Sequence, residues 1–406
     1  MNPRDPRGPA QVLPLGAWPV SAGRSDIADG LRRAYDWDER TARLAWSRLA
    51  EPADPVAARL LATHGGASAA LAALADEARS TREAFARRWD ALDLQADLAA
   101  TSACGARILI PGDEEWPTGL DELAEPPYCL WVRGHLPLGP ACERSVAVVG
   151  ARACSAYGEQ LASELGAGLA ERGFTVISGA AYGIDAAAHR GALAVDGPTV
   201  AVLASGVDRP YPQAHTVLLD EIARRGAVVS EMPPGAAPLR QRFLLRNRVI
   251  ATASRGTVVV EAGLRSGSRN TAGTAAAHAR VVMALPGPVT SMTSAGCHEM
   301  IRSGMAVLVT DAAEVAEAVG EYGTDLAPVR RGPTRAEDRL DQPERRVRDV
   351  LPAGGGSGVE RLARDAGLEE SAVRAALGRL ELAGLAERDP WGWRLSGASR
   401  RGRAAP

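Results

Sequence analysis

Seven short apolar runs spread over residues 145–309 leave few folds open to this chain. They are SVAVVG (145–150), FTVISG (174–179), TVAVLA (199–204), AVVSE (227–231), TVVVEA (257–262), VVMALPG (281–287) and AVLV (306–309), each followed by a stretch of helical length. The runs are continuously apolar rather than alternating, as in parallel strands covered on both faces. Strands alternating with helices predict a doubly wound, mostly parallel α/β sheet. Ligands of such sheets sit beyond the carboxyl ends of the strands, so the residues just after each run matter most.

The first of these loops, GARACSAYG (150–158), has no glycine two residues after Gly150, and the second strand ends Ser178-Gly179 with no acid to hold a ribose. Both departures exclude the dinucleotide fingerprint, and no nicotinamide or flavin cofactor is expected. A glycine turn opening a helix, with Arg152 and Ser155, still suits an oxyanion. The second loop supplies Ser178, Gly179, Tyr182 and Gly183, and the third Ser205, Gly206 and Tyr211. The loop after the fifth run supplies Ser266, Gly267, Ser268 and Thr271 between Arg265 and Arg269. Each loop alone is a weak signal. Four at one edge offer backbone N–H groups to several phosphates. Tyr157, Tyr182 and Tyr211, three of the six tyrosines, fall in the loops after the first three runs. Their rings either stack nucleobases or pack on the next helix. Asp185 and His189 lie four apart on a helix, with no nucleophile beside them in sequence, and are read as a structural pair.

The stretch RFLLRNRVIATAS (242–254) sets Arg246 and Arg248 within a helix that is apolar nearly all round, the mark of a buried element. Unpaired guanidinium groups are costly there, so an internal carboxylate or a ligand phosphate is expected. At about 100° per residue the two arginines point about 160° apart. One should reach the ligand groove while the other pairs inside, with Glu231 or Glu261.

A net charge of −2 rules out a broadly basic DNA-coating surface and confines any nucleic-acid site to a local patch. All 47 basic residues are arginines, whose planar forks suit phosphate. The five cysteines are scattered without metal-ligand spacing, which fits a reducing cytoplasm and no structural zinc. No signal peptide or membrane span is expected. Residues 1–23, rich in Pro and Gly, and the tail 398–406 are expected to be disordered. Residues 24–105 read as a small helical domain, and 106–322 as the α/β domain with a lead-in of short strands and proline turns. Residues 323–343 read as a linker. Residues 344–397 carry helix, turn, helix and a hairpin turning at Asp389-Pro390, the order of a winged helix.

Taken together, VAVVGARACSAYG, SGAAYGIDAAAH, YPQAH, SEMPPG, FLLRNR, VVVEAGLRSGS, the PG at 286–287 and GCHEMIRSG resemble, in order and spacing, the DNA-processing protein A family (DprA, also called Smf). The resemblance implies a Rossmann-like domain, a sterile-alpha-motif-like domain before it and a winged helix after it. It further implies a protein that binds single-stranded DNA, loads the RecA recombinase onto it in natural transformation, and dimerises through the Rossmann-like domain. The family's pocket carries over as Gly150, Arg152, Ser178, Gly179, Arg246, Arg248, Ser266, Gly267 and Ser268. Departures are Leu244 in place of the family's proline, His215 and His298 in place of its asparagines, and a third loop thinned to Ala204-Ser205-Gly206.

The expected function is therefore non-enzymatic: single-strand binding and recombinase loading in transformation or recombination. The alternative is a nucleoside-monophosphate phosphoribohydrolase of the lysine-decarboxylase-like fold, whose G-T-x-x-E loop is approached by Gly256, Thr257 and Glu261, the glutamate standing one residue too far on. A pure interaction module draws support only from the winged helix. There, nine arginines face nine acids over 344–397, and the second helix of the turn opens with Glu369-Glu370. A major-groove reader would place arginines at that end, so protein contact or weak DNA binding is expected.

Overall fold

A computed structural model of the chain describes residues 27–329 and 336–397. The expectations for 1–23 and 398–406 lie outside the described residues. The chain divides into two compact units that meet at Ala327 and Pro328.

The first unit opens with six helices: α1 (Ile27–Arg33), α2 (Glu39–Leu49), α3 (Pro55–His64), α4 (Ala67–Leu74), α5 (Arg79–Asp90) and α6 (Leu94–Ala103). Asp38, Asp54 and Asp93 cap α2, α3 and α6 by accepting first-turn N–H groups. The lead-in forms β1 (Ala106–Leu109), β2 (Leu130–Gly134) and α7 (Leu138–Glu143). Then come β3 (Ser145–Val149), α8 (Ala156–Glu171), β4 (Thr175–Ser178), α9 (Ile184–Ala194), β5 (Thr199–Leu203), α10 (Thr216–Arg225) and β6 (Ala227–Ser230). The unit closes with α11 (Arg240–Ala253), β7 (Gly256–Val259), α12 (Ser268–Ala277), β8 (Val281–Ala284), α13 (Ala295–Arg302), β9 (Val307–Leu308) and α14 (Ala312–Val319).

All seven runs are strands of one nine-stranded sheet, ordered β1-β2-β6-β5-β4-β3-β7-β8-β9. Pairing is parallel from β6 to β9, while β2 joins β6, and β1 joins β2, antiparallel. Side chains alternate between faces as the pleat requires. Val146 and Val148 pack under α8, α9 and α14, while Ala147 and Val149 meet Val249 and Ile250 of α11 and Ala272 of α12. The strands stop one to three residues before several runs end, so Gly179, Glu231 and Glu261 belong to the loops.

The six helices share one core with the sheet: Leu31, Trp46 and Leu71 cluster with Ala201, Leu203 and Val228. The helical segment is therefore fastened to the α/β part. One expectation changes. Helix α11 is not buried along its length: Leu244 is 55% exposed and burial begins at Arg246. The helix enters from the rim, so its first turn and a half stays at the surface.

The second unit packs α15 (Gln342–Val350), α16 (Val359–Ala366) and α17 (Glu370–Leu382) against the hairpin β10 (Ala386–Asp389) and β11 (Gly392–Leu395). Its core is Leu340, Val347, Leu362, Val373, Leu377, Leu380, Leu385 and Leu395. This is the expected winged helix, with one more helix than foreseen. Both ends of the expected linker, 323–343, are in fact structured. Asp325 pairs with Arg144 at 2.8 Å, Leu340 is buried, and Asp341 caps α15 in a reciprocal box with Glu344.

Candidate nucleic-acid interface

The strand order reverses between β3 and β7, and the loops there and beside it form the site. The loop after β3 runs from Gly150, whose Cα leaves no room for a Cβ against Ile184, to Ser155, the N-cap of α8. The loop after β4 crosses it at Gly183, with φ 77°. A Cβ there would stand 2.4 Å from the Ala151 carbonyl oxygen, so glycine is required both for the turn and for the approach. Arg152 is left exposed at the rim, its guanidinium carbon 5.1 Å from the centroid of the Phe243 ring. Tyr211 leans on the same ring at 5.3 Å, which makes Arg152, Phe243 and Tyr211 a continuous row. Phe243 was not singled out from the sequence. Its signal was available: one of three phenylalanines in the chain, three residues before Arg246.

The two central arginines separate as the helical angle requires, but neither stands open in the groove. Arg248 donates to the Glu231 carboxylate and, at 2.7 Å, to the Glu125 carbonyl oxygen, with its side chain and that of Glu231 only 10% and 8% exposed. It is the internal partner, and its expected phosphate contact is withdrawn. Arg246 is 6% exposed and donates to the Val202 carbonyl oxygen at 2.6 Å, while its Nε has no partner. Its guanidinium lies flat on Gly179, where a Cβ would come within 1.9 Å of Nη1. Among the described residues no carboxylate comes within ion-pair distance of it. Burial lowers its pKa to about 10, against the pull of Asp185 and with the push of Arg152. Between the two, Asn247 donates to the Gly267 carbonyl oxygen and to Asn270, tying α11 to the loop before α12.

Several expected hydroxyl contacts are turned inward. Ser178 is fully buried and donates to the Val148 carbonyl oxygen at 2.6 Å, and Ser205 to that of Arg209 at 2.8 Å. Gly206 N–H is taken by the Ala236 carbonyl oxygen at 3.0 Å, which ties the thinned third loop to the loop after β6. Ser155 donates its N–H and its hydroxyl to Glu261, at 2.9 and 2.6 Å. The loop before α12 stays open: Ser266 and Ser268 bond each other at 2.7 Å, and Gly267 has nothing packed on its Cα.

Asp185 and His189 do not pair. Asp185 accepts the N–H groups of Gly179 and Ala181, shaping the second loop, and burial raises its pKa against the pull of Arg246. His189 contacts Thr199 at 2.7 Å, and burial holds its pKa down at about 3, so the ring is neutral. The two histidines that replace asparagines both hold loops: His215 donates to the Ala180 carbonyl oxygen at 2.9 Å, and His298 lies 3.0 Å from that of Gly287. Tyr182, half exposed, meets the His215 ring edge-on at 4.8 Å. Tyr157 is anchored through its hydroxyl to the Pro286 carbonyl oxygen at 2.8 Å.

What remains open along the edge is a set of arginines and several aromatic rings, with Asp208 the exposed acid beside Arg209. Arg152, Arg209, Arg240 and Arg265, in the segments after β3, β5, β6 and β7, are exposed, and among the described residues none is within ion-pair distance of an acid. Asp208, the acid nearest in sequence to Arg209, is taken by the Gly235 N–H at 2.9 Å. No group of three or more His, Cys, Asp or Glu able to hold a metal ion occurs among the described residues.

Fold and edge together define a doubly wound α/β protein with a winged-helix unit, its ligand edge made of arginines and Ser/Gly loops and lacking the dinucleotide fingerprint. Residues 107–320 match the model of the family described as DNA recombination-mediator protein A, and 331–390 match the DprA winged helix domain. The chain belongs to the DNA recombination-mediator protein A family. A putative DNA processing protein DprA of Mycobacterium tuberculosis is 48% identical over 310 residues, covering 74% of this chain and 79% of that one. The DNA processing protein DprA of Streptococcus pneumoniae is 42% identical over 203 residues, 50% of this chain and 71% of that one. The X-ray structure of DprA from Streptococcus pneumoniae superimposes with a TM-score of 0.55 at 31% identity, covering 73% of this chain and 99% of that chain.

Proposed function

We propose that this protein binds single-stranded DNA along the carboxyl edge of its sheet, without catalysing a reaction, and helps load the RecA recombinase onto it during transformation or recombination. The observation that carries the reading is four exposed arginines on the edge segments, none within ion-pair distance of an acid among the described residues, with Arg152 over the Phe243 ring that Tyr211 also meets and with Tyr182 half exposed nearby in the second loop. Such an edge neutralises a backbone and offers flat faces to unpaired bases, the two needs of single-strand binding. Arg246 lies one layer deeper and supports the edge by filling the slot over Gly179. The hydrolase alternative loses ground because Glu261, its only candidate base, is 1% exposed and already bonded by Ser155 and Thr293.

Self-association through the α/β unit is supported by its outer strand. β9 has unpaired backbone on one side and leaves Val307 and Leu308 57% and 48% exposed. The winged helix, with Glu369 as N-cap of α17 and Glu370 in its first turn, suits a protein partner or weak DNA contact. No helix among the described residues is long and apolar enough to cross a membrane, and we place the protein in the cytoplasm. Equilibrium binding of labelled single- and double-stranded oligonucleotides over a salt series tests the central proposal.

A further inference from the structure

Where the strand order reverses, between β3 and β7, open α/β sheets receive a ligand's phosphate on the first turn of the helix that follows. Here that position is filled by the chain itself. Glu261, the second residue after β7, is 1% exposed and, among the described residues, has no cation within ion-pair distance. Its carboxylate instead accepts the Ser155 N–H at 2.9 Å, the Ser155 hydroxyl at 2.6 Å and the Thr293 hydroxyl at 3.0 Å. A Cβ on Gly158 would stand 2.4 Å from the Glu261 carboxyl carbon, so the group lies directly on the first turn of α8. One backbone N–H, two hydroxyls and the positive end of a 16-residue helix are the donor set that an oxyanion takes.

We infer that Glu261 is a built-in anion that occupies the phosphate seat of this fold. Seated there, the carboxylate does two things. It fixes the end of the loop that carries Arg152, so that loop needs no ligand to hold its shape. It also shuts mononucleotides and dinucleotides out of the crevice, which leaves phosphates to the outer rim, where a polymer can lie across several loops. The loop between β8 and α13 is tied to the same place: the Thr293 hydroxyl bonds the carboxylate, and the Tyr157 hydroxyl bonds the Pro286 carbonyl oxygen in that loop. The inference stands on this geometry and does not require the DNA reading.

Emptying the seat should create an anion site that the native protein lacks. The experiment compares melting of the full chain and of Glu261→Ala in formate, in inorganic phosphate and in chloride at equal ionic strength, with AMP added to each. Phosphate steadies any folded chain by exclusion from its surface and can meet the rim arginines, so each variant is read against the native protein in the same anion. Glu261→Ala should melt lower than the native protein in chloride and rise by about 2–4 °C more than the native protein does in formate or phosphate at concentrations several times its dissociation constant. If Glu261→Ala does not fold in chloride, its refolding yield in formate against chloride is the reading, and recovery in formate is expected. Glu261→Gln, which keeps the volume and loses the charge, should melt lower without responding to either anion. A lost packing contact alone would give no anion response beyond that of the native protein. The inference is overturned if AMP stabilises the native protein as much as it does Glu261→Ala, or if Glu261→Ala gains no more from any anion than the native protein does. Oligonucleotide binding by the native chain reads the DNA proposal separately.

Discussion

Arg248 and Glu231 form a buried ion pair beneath the sheet edge, while Arg246, two residues earlier on the same helix, has no carboxylate within ion-pair distance among the described residues. The 200° turn between them sends one guanidinium to the loop after β6 and the other to the slot over Gly179. Removing one member of a buried pair strands the other, at a cost of about 3–5 kcal/mol. Arg248→Ala should therefore lower stability by that order in denaturant titration. What survives folded should keep the native salt dependence of oligonucleotide binding, because Arg248 touches no phosphate in this account.

Arg152 is the opposite case: exposed, carried on a loop fixed from both ends, and stacked on Phe243. Arg152→Ala should leave the melting temperature within error and flatten the log–log salt slope of single-strand binding by about 0.7, the share of one neutralised phosphate. Phe243→Ala should weaken binding by about 1–3 kcal/mol, the worth of a base–aromatic stack, with the slope unchanged. Fluorescence anisotropy over a salt series separates the two.

Glu51, just after α2, accepts two hydrogen bonds from Arg242 at 2.8 and 2.9 Å and fastens the helical segment to the start of α11. The Arg242 hydrogen bonds hold its pKa below the ordinary 4.5 against the opposing effect of burial, and Arg88 adds to the pull. A depressed carboxylate stabilises the fold fully above its ordinary pKa, and that contribution is lost as pH falls through the lower folded value. Melting curves should therefore show Glu51→Gln less stable than the native chain at neutral pH. The gap should start to narrow as the medium is acidified past the ordinary value, and close only once pH has fallen through the lower folded value.

The sheet was legible because continuous apolar runs have one good home, and all seven proved to be strands. The separation of Arg246 from Arg248 and the internal pairing of one of them were legible as well, because helical geometry forbids both from facing one way; that Arg246 would lie buried against Gly179 and the Val202 carbonyl oxygen instead of open in the groove was not. The fate of hydroxyls was not. Ser178 and Ser205 sit at strand ends where a phosphate ligand and a neighbouring carbonyl compete for the same donor, and only the packing of adjacent strands decides. Phe243 escaped notice because its role comes from Arg152 and Tyr211, which lie 91 and 32 residues earlier in the chain. Within the expected linker at 323–343, composition does not reveal that Asp325 pairs with Arg144 or that Leu340 fills a core.

The central claim is that the carboxyl edge of the sheet holds a single strand by several phosphates and by its bases. Binding of one labelled oligonucleotide, single-stranded and annealed to its complement, measured by anisotropy from low to high salt, addresses it most directly. The expected result is clear preference for the single strand and a straight log–log plot whose slope counts several phosphates at about 0.7 each. Equal affinity for both forms, or binding indifferent to salt, contradicts it.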